Sequence, residues 1–173
     1  IRSVGMESAL VATVLSVFIL CAALSGCGSI MEGYAQETVS SDKNQLFATS
    51  FQNLVKKAVL LTHNFDIEMQ KWKRGEHSNE TMVSITNSYT PKFQGLITTA
   101  NSLKTPRQFE NVTELYAKSL QSELQSNIHF RNSLITGNTT ESLLSSKLYS
   151  DALRYEMESF AAFKSATAKT STN

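Results

Sequence analysis

Three histidines and two cysteines are the side chains here best suited to chemistry, and their neighbours decide what each can do. Helical bundles hold carboxylate-bridged metals through Glu-x-x-His pairs, in which an acid one turn before a histidine shares its face. His63 has Leu60 at that position, His77 has Arg74 and His129 has Ser126, so no such pair exists. His63 does precede Asp66 by three residues, with Glu68 on the same stretch, which leaves a lone metal site as a minor alternative to a solvated helix flank. There is no Cys-x-x-Cys-His, so covalent haem attachment is excluded. The serines fall outside any Gly-x-Ser-x-Gly elbow, and Gly-x-Gly-x-x-Gly and phosphate-loop patterns are missing. Glu156 and Glu158 stand two apart on a helix, point in different directions and read as a solvated face. These absences lead to an expectation of no enzyme, no catalytic or metal-binding residue and no cofactor. Cys27 is different, because small residues precede it and a thiol at a membrane surface is open to alkylation.

The setting of Cys27 supports this. No charge occurs from Ser8 to Met31, and Ala9 to Leu24 is apolar apart from Thr13 and Ser16. As a helix these sixteen residues would rise about 24 Å, short of the roughly 30 Å hydrocarbon core, which favours a signal-peptide core over a permanent span. The run ends in Leu24-Ser25-Gly26-Cys27, an aliphatic residue and two small ones before the thiol. This tetrad resembles the lipobox of prokaryotic lipoprotein precursors. The resemblance implies cleavage before Cys27, lipid on its sulfur, and Leu24, Ser25 and Gly26 as the segment a peptidase reads. Cys21 follows Phe18-Ile19-Leu20, whose bulk does not suit that cleft, so it is not the expected target. The alternative is an uncleaved single-pass signal anchor. Both readings place the bulk of the chain on the extracytoplasmic face of a cell membrane, and in the cleaved form no cysteine pair remains to make a disulfide.

The rest must therefore be held by an apolar core. Lys and Arg number 16 against 15 Asp and Glu, and the resulting net charge of +1 offers no footprint for nucleic acid. With 41% apolar, 18% charged and 9% aromatic residues, the composition is that of a folded domain and not of a disordered tail. Three organisational segments follow: 1–26 as signal peptide, 27–41 as lipidated cysteine and flexible tether, and 42–173 as the folded domain. Within the last, Phe47, Phe51, Leu54, Ala58, Leu61, Phe65, Glu68 and Trp72 recur at spacings of three and four, the mark of a helix face. Gly75 ends that helix and Ser78 caps the next, whose stripe is Met82, Ile85, Tyr89, Phe93, Leu96, Ala100 and Leu103. Pro91 falls inside this stripe and predicts a kink, or a break with Thr90 as a fresh cap. Thr105-Pro106 reads as cap and first residue of a third helix carrying Phe109, Val112, Tyr116, Leu120, Leu124, Ile128 and Leu134 or Ile135.

Gly137 closes the third helix, and Asn138 with Glu141 suggests a capping box opening a fourth over 139–168. Its expected stripe includes Leu144, Leu148, Tyr149, Ala152, Leu153, Tyr155, Met157, Phe160 and Phe163. Short connections force antiparallel neighbours, so the expected fold is all-α: an antiparallel up-down four-helix bundle preceded by a hydrophobic signal or anchor helix. With its Thr-Pro start and Phe109, the downstream half is also loosely similar to small exported helical-bundle proteins of unknown function. The functional expectation is a membrane-anchored lipoprotein that binds or scaffolds, with the membrane and an envelope protein as partners. The alternative is a helical-bundle sensor or carrier for a small ligand or metal, seated near Pro91.

Overall fold

The computed structural model describes residues 35–170, and side chains over 42–168; Leu24, Ser25, Gly26 and Cys27 lie outside the described residues. Among the described residues every regular element is helical: α1 (Ala35–Lys73), α2 (Asn79–Ser102), a 3₁₀ turn (Arg107–Phe109), α3 (Glu110–Thr136) and α4 (Thr139–Thr170). The four helices pack together. α1 begins at Ala35, ahead of the Asp42 at which apolar periodicity starts, because a helix can extend through polar residues before it has a face to bury.

The ends follow local chemistry with two corrections. Gly75 and Gly137 adopt φ of 78° and 66°, the left-handed conformation that lets the chain turn back. Beyond Gly75 the Glu76 amide donates to the Lys71 carbonyl at 2.9 Å, and the Gly137 amide donates to Ser133 at the same distance. Ser78 accepts from the Thr81 amide at 3.2 Å and caps α2 as expected. Thr105 does not cap α3. Its hydroxyl donates to the Leu103 carbonyl at 3.2 Å and lies 3.1 Å from that of Thr113, while Pro106 precedes a 3₁₀ turn that burying Phe109 draws into place. The capping box is only half formed. Asn138 accepts from the Thr140 amide at 2.9 Å, but the Glu141 carboxylate is taken by His129 at 2.7 Å.

α2 runs unbroken through Pro91. Met82, Thr86, Phe93, Leu96 and Ala100 are all buried, so one continuous packed face holds the helix across the lost amide. The Thr90 hydroxyl donates back to the Thr86 carbonyl at 3.0 Å and caps nothing.

Rings fill one half of the core. Phe47 stacks on Phe109 with centroids 4.6 Å apart, and Phe51 meets both Tyr116 and Phe163 at 5.2 Å. Further along, Trp72 meets Phe130 edge-on at 5.2 Å, so α1 and α3 advance in the same sense. Between α3 and α4 the partners advance in opposite senses: Ser159 Oγ donates to the Val112 carbonyl at 2.8 Å, Ser119 Oγ to Ala152 at 2.9 Å, and Ser126 Oγ to Ser145 at 2.9 Å. Ser145, Ala152, Ser159 and Ala166 recur every seventh residue on α4, as Val112, Ser119 and Ser126 do on α3. These small side chains let the backbones come close enough for a hydroxyl to reach the opposite main chain. This contact also corrects the expected α4 stripe, since Leu144 and Met157 are 37% and 65% exposed.

Candidate functional site

Midway along the bundle the apolar core gives way to acids. Thr62 and Asp66 come from α1, Glu123 from α3, and Tyr149 and Glu156 from α4. The helical repeat explains the grouping. Asp66 stands one turn after Thr62, and Glu156 follows Tyr149 by two turns on the same face. Thr62 Oγ1 donates to Glu123 Oε1 at 2.7 Å and bridges α1 to α3.

Glu123 retains some exposure as a residue, but its carboxyl is enclosed by protein. Burial pushes the carboxyl up to about 8; the Thr62 hydrogen bond pulls it down, and the charges of Glu156 and Asp66 raise it further. Glu156 and Asp66 are themselves held above the ordinary carboxylate range by burial, with His63 and Lys73 pulling Asp66 back. The Tyr149 phenol is pushed up by burial and by the same three carboxyls. At neutral pH Glu123 therefore holds a proton. One turn on, Asn127 is buried and its Nδ2 lacks a partner among the described residues, as does Arg131 Nε. Such a layer can store and exchange protons. Among the described residues no group of three or more His, Cys, Asp or Glu is placed to hold a metal ion.

The residues singled out from sequence scatter. His63 is exposed. Glu68 turns away from it to accept from Lys71 at 2.8 Å and to pair with His77 Nε2 at 2.7 Å, at the opposite end of α1 from its start. Glu158 is solvated and bonds Arg154 at 3.1 Å, as expected. Glu156 is not: it turns inward, because its heptad partner Tyr149 already lies on the inner side of α4. Glu123 belongs to no motif, although the sequence carries a signal for it. It lies two turns after Tyr116 and one after Leu120, squarely on the α3 apolar stripe. At the start of α2, Asn79 accepts from Trp72 Nε1 at 2.9 Å.

Compared with protein families, curated proteins and solved structures, the chain matches none of them.

Proposed function

We propose that this chain is an exported lipoprotein, cleaved before Cys27 and acylated on its sulfur, that holds an antiparallel up-down four-helix bundle at the extracytoplasmic face of a cell membrane. Its role there is to bind or scaffold an envelope protein, without catalysis. The observation that carries the reading is the uncharged run Ala9 to Leu24 ending in Leu24-Ser25-Gly26-Cys27. Two features of the described residues support it. No helix among them is long and apolar enough to cross a membrane, so in this reading attachment falls to the first thirty residues. Leu46, Leu60 and Ile67 are exposed on one side of α1 at multiples of seven residues, a face suited to docking on another helix.

Fractionation of cells expressing the full chain or a Cys27→Ser variant tests the anchor. The native chain is expected in the membrane fraction, resistant to high salt, with its N-terminus at position 27, and the variant is expected not to be processed there. A variant that matures at the same site and stays as firmly bound would overturn the reading.

A further inference from the structure

A groove of about 560 Å³ opens between α1, over Lys43 to Ser50, and the chain where α2 gives way to the turn before α3. Leu46, Phe47, Leu103 and Pro106 give it an apolar wall, and the exposed lysines Lys43 and Lys104 stand on its border. No carboxylate among the described residues lines it. Neither lysine has a hydrogen bond or ion pair among the described residues, whereas Lys71, Lys118 and Lys147 each sit on an acid at 2.7 to 2.8 Å. Leu46 is 69% exposed, an apolar side chain with one face unused.

We propose that this groove takes one anionic phospholipid, its phosphate held between Lys43 and Lys104 and an acyl chain laid against Leu46, Phe47, Leu103 and Pro106. Two cations beside an apolar wall complement a molecule that is anionic at one end and hydrocarbon at the other, and the volume falls within the roughly 300 to 1,000 Å³ of small-molecule sites. The apolar wall beside the two lysines favours a lipid over a soluble anion, which would leave Leu46, Leu103 and Pro106 uncovered. The charge and shape of the groove do not rest on the anchor reading.

Native mass spectrometry of the detergent-solubilised full chain, titrated with phosphatidylglycerol or phosphatidylcholine, tests the proposal. One phosphatidylglycerol per chain is expected, with phosphatidylcholine retained at least tenfold less. The Lys43→Ala/Lys104→Ala double variant, which removes two exposed and unpaired side chains, should lose phosphatidylglycerol at least tenfold. Leu46→Ser should weaken retention of the same lipid. Equal retention of the two lipids, or a double variant that binds like the native chain, overturns the proposal. The covalent acyl mass on Cys27 survives denaturation while the groove lipid does not. A chain that binds phosphatidylglycerol without that covalent mass thus contradicts the anchor alone, and an acylated chain that does not discriminate contradicts the groove alone.

Discussion

Glu123 governs how this fold answers pH. Its carboxyl stands at about 8 in the folded chain against an ordinary 4.5, so between those values the folded state keeps a proton that the unfolded state has released. The stability it contributes is complete below about 4.5, falls as pH rises, and is gone once pH passes about 8, at about 1.4 kcal/mol per pH unit for one proton. Asp66 and Glu156, also raised by burial, act in the same direction. Glu68, Glu114, Glu141 and Asp151 act oppositely, because hydrogen bonds from cationic or histidine partners lower them; what they contribute is lost only as pH falls below the ordinary carboxylate range. Denaturant titration should therefore show the chain more stable at pH 5 than at pH 8. Glu123→Gln, which keeps an acceptor for Thr62 and removes the charge, should flatten that slope and stabilise the fold at pH 8 by the several kcal/mol that the slope accumulates above pH 4.5. A variant with the native slope would show that Glu123 is not the group responsible. The sequence exposes this residue only to a reader who asks which charges fall on an apolar stripe, since composition and motif searches pass over a lone glutamate.

At the scale of elements, the α3–α4 pair is held by an arrangement that hydrophobic patterning does not see. The first three helices present Phe, Leu, Met and Tyr at helical spacing, and their large buried side chains Phe47, Phe51, Leu54, Phe65, Met82, Phe93, Leu96, Tyr116, Leu120 and Leu124 fall on the expected stripes, while Val55, Thr86, Ser119, Ser126 and Asn127 are buried off them. α4 instead meets α3 through Ser145, Ala152 and Ser159, so the larger apolar residues Leu144 and Met157 stay out of the core that their spacing predicts for them. A serine hydroxyl that reaches across to a main-chain carbonyl, as Ser159 does to Val112, requires close backbones. Replacing Ser159 with Leu should force the pair apart at a cost of about 1 to 3 kcal/mol, whereas Ser159→Ala should cost about 1 kcal/mol through the lost hydrogen bond. Thermal unfolding of the two variants distinguishes overpacking from hydrogen-bond loss by the size of the shift. The turn between these helices adds a separate test. A side chain added at Gly137 would meet only open space, but the residue has a φ of 66°, so Gly137→Ala should cost about 1 kcal/mol through backbone conformation alone. The glycines, Ser78 and the helix count are legible in the sequence because their chemistry is local. The unbroken course of α2 through Pro91 is not, because continuous burial of Met82, Thr86 and Phe93 decides it.

Over the whole molecule, one aromatic cluster ties three helices together, and the proposed placement rests on one short segment that precedes them. Phe51 contacts Phe47 on its own helix, Tyr116 on α3 and Phe163 on α4, and is 2% exposed. Phe51→Ala should remove about 3 to 5 kcal/mol and unfold the helices together, read as one transition by circular dichroism and tyrosine fluorescence. The proposed placement depends on acylation of Cys27, which lies outside the described residues. The most direct test is metabolic labelling with an alkyne fatty acid in cells producing the full chain, followed by purification and detection of the bound label. Label on the native chain and on Cys21→Ser, with none on Cys27→Ser, is the predicted result. Label that persists on Cys27→Ser, or a native chain that takes up none, would contradict the account.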